Sequence, residues 1–410
     1  MEQKRFTIHF IFLSALLIIL FFINISLGSV AIPFKELFNR LFGGDISKES
    51  WEIIIVNFRI PKAITAILVG SGLSVCGLLM QTLFRNPLAG PFVLGISSGA
   101  SLGVAILILG SSVFGGFLLS SSISNWSLPI AASLGSFFVL SAVIIAANKL
   151  RNTMSILIIG LMFSSLTSAI ISVLAYFSEA SQIQQYLFWS FGSLGNLSWE
   201  ELQVFMSIYC IGMIGTIFLI KPLNSFLLGE NYAKSLGINI KKNRNIILLI
   251  TSIVTGVITA FSGPIAFIGL SVPHIARMFF LSSNHKILLP AVAIIGAIVL
   301  LICDAVAQLP TSEFTLPINA VTSLFGAPIV IWLLVRKKKL FESIFCSMRL
   351  IATNYLNRGN LRNYSKMWKE DMIGDASLIC MEKLYKFDTK YENPFAYFTS
   401  VCVNSFKTYL

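Results

Sequence analysis

The sequence predicts an all-α, polytopic membrane protein with about ten transmembrane helices, followed by a small soluble helical segment at the C-terminus. Hydrophobic residues make up 56% of the 410 residues and charged residues only 12%, which excludes an ordinary soluble domain. Between Arg85 and Lys149 the chain has no Lys, Arg, Asp or Glu, a run long enough for two crossings. Near residue 340 the composition becomes charged and mixed. We therefore divide the chain into a membrane domain, 1–340, and a tail, 341–410.

Ten segments have the apolar length that a bilayer crossing requires: residues 8–30, 61–83, 92–110, 128–147, 155–177, 202–220, 245–262, 264–281, 287–309 and 317–335. The first segment is too long for a signal peptide and lacks a small-residue cleavage site, so we expect it to be retained. Basic residues collect in the loops on one side of these segments. By the positive-inside rule this side is cytoplasmic, and both termini lie there.

Two cations, Arg59 and Lys62, flank Pro61 at the outer start of the second span. Proline is favourable at a helix start, where its missing N–H would be unpaired anyway. The two side chains could simply reach the headgroups, or they could form a docking point for an acidic partner outside. Residue types alone leave both interpretations open.

A polar break, residues 86–89 (Asn-Pro-Leu-Ala), follows the second span and precedes a glycine-rich helix. It could be a tight turn, or a narrow gate containing Asn86 and Leu88, since irregular backbone at membrane depth must be buried or line a water path. Gly99 and Gly103 have the spacing that allows close helix packing.

The longest inner loop, residues 221–244, alternates charged and apolar residues at helical spacing, with glycines closing each piece. This pattern predicts two short amphipathic helices at the membrane face. They could lie on lipid, or they could bind a cytoplasmic protein.

Two polar residues lie within predicted spans. For His274 we weigh a structural hydrogen bond against metal binding and favour the hydrogen bond, since no second ligand stands at suitable spacing. For Asp304 a functional role and a packing hydrogen bond both remain open. The six cysteines lack metal-ligand spacing. Nucleotide-binding and hydrolase motifs are missing, so no catalytic residue, metal site or cofactor is expected and any ATP must bind a separate subunit.

Residues 1 to about 338 resemble the FecCD-type permease subunits of bacterial ABC importers for iron-siderophores, haem and vitamin B12. The motifs carrying this resemblance are Arg-Ile-Pro-Lys at 59–62, Gln81, residues 86–89, residues 94–100, 189–194, 228–237, 263–277, Asp304 and residues 326–328. The resemblance implies a multi-pass protein of the bacterial inner membrane. It also implies a second permease copy (a homo- or heterodimer), two cytoplasmic ATPase subunits, and a periplasmic or lipid-anchored solute-binding protein.

The resemblance assigns roles to particular residues. Arg59 and Lys62 would dock the binding protein, although Lys62 replaces an arginine and so loses its bidentate fork, and Gln308 stands where many members carry another arginine. Asn86, Leu88 and Thr153 would narrow the inner end of the path. The ATPase-coupling residues would be Leu228, Gly229, Glu230, Ala233, Leu236 and Gly237. The implied cargo is an iron chelate, foremost a ferric siderophore, with haem and cobalamin as alternatives. A stand-alone channel or carrier is the other function considered.

The tail, at about 348–408, resembles region 2 of a bacterial sigma factor, closest to the late-transcription sigma factors of tailed phages. The motifs are at 368–376, 386–388 and 393–399. This implies a helix, within about 370–388, that binds RNA polymerase. Because FecCD-type permeases end near Lys339, we prefer a joined reading frame over a membrane-tethered transcription factor.

Overall fold

The computed structural model describes residues 2–28, 30, 32, 33, 35–37, 44, 48–110, 126–149, 153–195, 197–308, 315–356, 366–383 and 394–406. All regular secondary structure in these ranges is helical. The chain forms two compact units, Met1–Pro328 and Ile329–Leu410, which are described separately.

In chain order, the principal helices are α1 (Glu2–Ser26), α2 (Glu49–Ile54), α3 (Ile60–Phe84), α4 (Ile96–Ile108), α5 (Ser127–Lys149), α6 (Thr153–Tyr176), α7 (Ala180–Ser190), α8 (Trp199–Phe218), α9 (Ile220–Leu227), α10 (Glu230–Ser235), α11 (Ile240–Ser262), α12 (Ile268–Phe280), α13 (His285–Ala307), α14 (Ile318–Leu356), α15 (Lys366–Lys383) and α16 (Pro394–Phe406). A π-helical turn, Ile55–Arg59, joins α2 to α3, and a 3-10 helix, Pro91–Leu94, precedes α4.

All ten predicted spans fall on helices, which confirms the all-α polytopic architecture. In the described ranges, 7 helices are long and apolar enough to cross a membrane, and three shorter apolar helices, Ile96–Ile108, Ile268–Phe280 and Ile318–Trp332, lie within the other predicted spans. The 13 residues of α4 rise only about 20 Å. This is less than the ~30 Å hydrocarbon core, so the irregular backbone beside α4 must be buried in protein or face water.

The second span begins earlier than predicted. Helical structure already starts at Glu49, and it passes through the turn Ile55–Arg59 into α3 without a break. Pro61 therefore does not start the helix. It lies two positions after Arg59, the last residue of the π-helical turn. The local change of hydrogen-bonding pattern there compensates for the N–H that proline lacks.

The eighth span was predicted to begin at residue 264, but α12 begins only at Ile268. Gly263 (φ 72°) and Phe267 (φ 66°) are left-handed, so the intervening backbone cannot continue the preceding helix. A further helix, α7, was not predicted. Its start is fixed by a capping box between Glu179 and Gln182, which satisfies two backbone donors.

The first unit is centred on α3, nearly all of which is buried. Its glycines bring backbones into direct contact: a Cβ built on Gly70 would lie 2.3 Å from the carbonyl oxygen of Gly296 in α13, and one on Gly77 would lie 1.7 Å from that of Gly269 in α12. Such proximity is typical of membrane helices, whose association depends on close packing. These glycines therefore fix α3 between α12 and α13.

The predicted close packing at Gly99 and Gly103 is confirmed. A Cβ on Gly99 would lie 2.6 Å from the carbonyl oxygen of Gly135, and one on Gly103 would lie 2.0 Å from that of Ala131. Both partners belong to α5. The Gly-x3-Gly pattern thus pairs two helices of the same chain.

The second unit has its own apolar core from the end of α14, α15 and α16. The buried members are Met348, Ala352, Leu356, Met372, Ala376, Cys380, Phe398, Val401, Cys402 and Phe406. The Sγ atoms of Cys380 and Cys402 are 3.4 Å apart, and this hydrogen bond lowers the pKa of the Cys402 thiol. The helix expected within 370–388 corresponds to α15 as far as Lys383, and the rest lies outside the described residues. The sigma-factor resemblance stays a prediction.

Candidate transport path and coupling loop

The predicted docking cations lie at one end of α3 and the predicted gate turn lies at the other, and we call these the Arg59 end and the Arg85 end. At the Arg59 end, the guanidinium is 8% exposed. Its Nη1 donates to the carbonyl oxygens of Ile25 (3.0 Å) and Ser26 (2.9 Å), and its Nη2 donates to that of Val30. The last carbonyls of a helix lack partners within it, and a cation there is favourable. Arg59 therefore caps α1.

Lys62 and Asp304 form an ion pair with Nζ 3.1 Å from Oδ1. Asp304 is buried at the end of α13, and its Oδ2 also accepts from Asn24 (2.9 Å) and from Gln308 (2.7 Å). A buried carboxylate needs such partners to offset the loss of hydration. The structure thus unites two residues that were singled out separately from the sequence, and it gives Gln308 the role of a donor to Asp304.

A cavity of about 330 Å³ opens beside this ion pair. Its lining includes Gly28, Phe58, Arg59, Lys62, Gly195 and Gln308. The exposed fraction of Lys62 is 23%, against 3% for Asp304. Of the two cations predicted to dock a binding protein, Lys62 is therefore more exposed than Arg59, which is 8% exposed. The docking role of both residues stays a prediction.

At the Arg85 end, residues 86–89 adopt a tight turn. Arg85 ends α3 in the left-handed region (φ 48°), the amide of Ala89 donates to the carbonyl of Asn86, and the amide of Leu88 donates to Asn86 Oδ1 at 2.9 Å. Asn is suited to such a turn because its side chain replaces a backbone acceptor. Leu88 is 41% exposed, which leaves it free to narrow a path.

The third predicted gate residue, Thr153, is the first residue of α6, and its side chain lies outside the described part of the structure. The gate formed by Asn86, Leu88 and Thr153 therefore stays a prediction.

The turn is also attached to α12. His274 Nε2 lies 2.9 Å from the carbonyl oxygen of Pro87, and Arg277 Nη1 donates to Gln81 Oε1 at 2.7 Å. Gln81 Nε2 in turn donates to the carbonyl of Leu270. The contact between His274 and Pro87 agrees with the first interpretation of His274, a structural hydrogen bond. The described residues contain no cluster of three metal-binding side chains.

The predicted pair of short helices in the inner loop is present as α9 and α10. Gly229 (φ 118°) precedes α10 and Gly237 (φ 78°) follows it. Positive φ values of this kind favour glycine. Leu228 and Leu236 are 66% and 56% exposed, whereas Ala233 is buried. The side chain of Glu230 lies outside the described part. Leu228 and Leu236 each project beside a glycine, Gly229 or Gly237, whose lack of a side chain leaves them accessible. Such exposed apolar side chains are suited to a protein partner. The coupling role of these residues stays a prediction.

The residues that hold this loop to α3 have no recognisable signature in the sequence. The loop is held by hydrogen bonds between segments far apart in the chain, formed by Asn224, His285, Thr82 and Arg85. Asn284, which precedes α13, is recognisable as an N-cap. Nothing in the neighbouring sequence, however, indicates that the ring of His285 bonds Asn224 and Thr82.

Comparison with known proteins identifies the family of most of the first unit. The model of the FecCD transport family matches residues 16–336. The hemin transport system permease HmuU of Yersinia pestis is 35% identical over 330 residues, which cover 80% of this chain and 95% of the relative. The vitamin B12 import system permease BtuC of Salmonella typhi is 33% identical over 297 residues, covering 72% and 88%.

A solved structure leads to the same family. An inward-facing ABC transporter of metal-chelate type superimposes with a TM-score of 0.68 at 30% identity, covering 79% of this chain and 97% of that one. These relatives are permease subunits, which are transport components and not enzymes. The chain belongs to the FecCD transport family.

Proposed function

We propose that this permease imports a metal chelate across the bacterial inner membrane by alternating access, with the Arg59 end outward and the Arg85 end cytoplasmic. The observation that carries the proposal is the attachment of α9 to the Arg85 end of α3. Arg85 Nε donates to the carbonyl oxygen of Phe226 at 3.1 Å, immediately before the turn at 86–89. A loop that moves with its ATPase would therefore act directly on the predicted gate.

The assembly that this mechanism requires has three further components. A second permease copy completes the central path, and two cytoplasmic ATPases bind the surface around Leu228 and Leu236. A solute-binding protein delivers cargo at the cavity beside Lys62. An acidic residue of that protein would compete with Asp304 for the Lys62 ammonium, since opposite charges attract strongly where water is partly excluded. With Arg59 engaged by α1, we assign the larger docking contribution to Lys62.

The cargo is proposed at the level of its chemistry. Our sequence-based preference is a ferric siderophore, while hemin and vitamin B12 appear in the names of the relatives. In all three, a metal is enclosed in an organic ligand. Haem and cobalamin are therefore supported at least as well as a siderophore.

Uptake by the complete complex in proteoliposomes tests the cargo. We expect one metal chelate to accumulate inside in an ATP-dependent manner, and the other two to compete weakly or not at all. Ferric siderophore, haem and cyanocobalamin would each be offered with the cognate binding protein. Uptake of free metal ions, or uptake without ATP, would contradict the proposal and favour a channel or carrier.

Substitution of Gly237 tests the coupling loop. Its φ of +78° is strained for a β-branched residue, whereas Asn adopts this region more readily, and nothing within 4 Å would obstruct a Cβ. We expect Gly237→Val to lower ATP-driven uptake about fivefold, because ~1 kcal/mol of strain would distort the loop. Gly237→Asn, the matched control, should retain most of the uptake. Equal uptake by both variants would argue against a defined loop conformation in coupling.

Removal of the tail tests whether residues 341–410 take part in transport. The family match ends at residue 336, and the buried core of the tail consists of residues from Met348 onward. We expect a chain ending at Lys339 to transport at the wild-type rate. RNA polymerase should be retained by the full-length chain and not by the shortened one if the tail acts like a sigma factor. Loss of transport on truncation would instead assign the tail to the permease.

A further inference from the structure

We propose that Asn224, His285 and Thr82 are positioning residues that transmit movement of the ATPase-binding loop to the turn at residues 86–89. The proposal rests on the coupling role given to that loop under the proposed function, and it identifies the side chains that carry the movement. The three residues connect α9 with the first turn of α13 and the last turn of α3.

The first connection joins α9 to α13. Asn224 Oδ1 accepts from both the backbone amide of His285 (2.9 Å) and its Nδ1 (2.7 Å), and Asn224 Nδ2 donates to Asn284 Oδ1 (3.0 Å). Amides in the first turn of a helix have no partner within the helix. A single side chain of α9 thus satisfies the backbone amide of His285 and fixes the His285 ring.

The second connection joins α13 to α3. His285 is 1% exposed, and its Nε2 lies 2.9 Å from Thr82 Oγ1, which is also buried. Hydrogen bonds between buried groups are costly to separate, because no water replaces the lost partner. Since Arg85 independently binds the carbonyl of Phe226, the last turn of α3 is held to α9 at two points.

Close backbone contact prevents the surrounding helices from absorbing the movement. α3 and α13 meet at Gly70 and Gly296, where a Cβ on either residue would lie 2.3 Å from the carbonyl oxygen of the other. Close-packed backbones cannot repack as flexible side chains can. Displacement of α9 therefore displaces residues 82–85, and with them the turn.

The test measures the response of the turn to ATP without reference to the cargo. In the complete complex, with the native cysteines replaced by serine or alanine, Leu88→Cys serves as a reporter. Its rate of modification by a maleimide is compared with and without ATP. We expect Thr82→Val, which removes the hydroxyl and keeps the shape, to reduce this ATP-dependent change about fivefold, and Asn224→Ala to reduce it about tenfold.

Matched variants separate transmission from general damage. Thr65 is also buried in α3, and its hydroxyl lies 2.8 Å from a carbonyl oxygen of the preceding turn, that of Pro61, as the Thr82 hydroxyl lies 2.8 Å from that of Leu78. Among the described residues its hydroxyl bonds only within α3, so Thr65→Val should keep the wild-type response. Asn224→Asp retains the oxygen that accepts from His285 and should restore the response lost in Asn224→Ala.

Each outcome decides a different point. A wild-type ATP response in Thr82→Val would overturn the link, even if Asn224→Ala fails to assemble. A parent complex whose Leu88→Cys reporter ignores ATP would overturn both the link and the coupling role of the loop. A normal ATP response without chelate uptake would overturn the proposed cargo alone.

Discussion

Gly77→Ala is expected to abolish or severely reduce the yield of folded permease. The added Cβ would lie 1.7 Å from the carbonyl oxygen of Gly269, which is backbone and cannot move aside by rotation. Overpacking of a core costs about 1–3 kcal/mol where side chains can adjust, and separation of α3 from α12 would cost more. The measurement is the fraction of monodisperse protein in detergent after heating, compared with wild type.

Gly256→Ala is the matched control for this prediction. Gly256 also lies within a membrane helix, but the nearest atom to its added Cβ would be Ser136 Cβ at 3.6 Å, an ordinary contact. We expect wild-type yield and heat resistance from this variant. If Gly77→Ala behaved in the same way, α3 and α12 would not be in backbone contact.

Asp304→Ala is expected to have the second largest effect on stability. It leaves the Lys62 ammonium and the donors on Asn24 and Gln308 without their shared acceptor. Removal of one partner of a buried ion pair costs about 3–5 kcal/mol. Since Lys62 is 23% exposed, water offsets part of this cost, and we expect about 2–3 kcal/mol. A lower midpoint of thermal unfolding in detergent would be the readout.

A double substitution distinguishes the ion pair from packing at the same site. Lys62→Met with Asp304→Leu removes both charges together, so it should unfold at a higher temperature than Asp304→Leu alone, which has the same side chain at position 304. Glu200→Ala, at an exposed position at the start of α8, should change stability by less than about 0.5 kcal/mol. Equal midpoints for the double and single variants would show that the charges are not coupled.

Local features were predictable from the sequence because they depend on neighbours along the chain. Apolar length identified all ten spans, Asn86 with Pro87 indicated the turn, and Gly229 and Gly237 marked the ends of the loop helices. The backbone contact at Gly99 followed from its spacing to Gly103. In each case the physical cause lies within a few residues of the signal.

Contacts between distant segments were not predictable in the same way. The pattern around Arg59 predicts a helix start, whereas the helix is continuous from Glu49, and only tertiary packing brings the end of α1 against Arg59. Similarly, Lys62 and Asp304 were both noticed, yet nothing in the sequence indicates that they meet. The early start of the second span and the late start of α12 arise from backbone conformations, a π-helical turn and a left-handed Phe267, that residue type alone does not determine.

The direct backbone contacts along α3 restrict the kind of movement available to the transporter. Where a glycine faces a carbonyl oxygen of the next helix, as at Gly70 and Gly77, sliding of one helix past the other would bring a bulkier neighbour into the same space. These contacts oppose shear of α3 against α12 and α13, so we expect the three helices to move together. Backbone bending is expected instead at the left-handed residues that begin and end α12, Phe267 and Leu281.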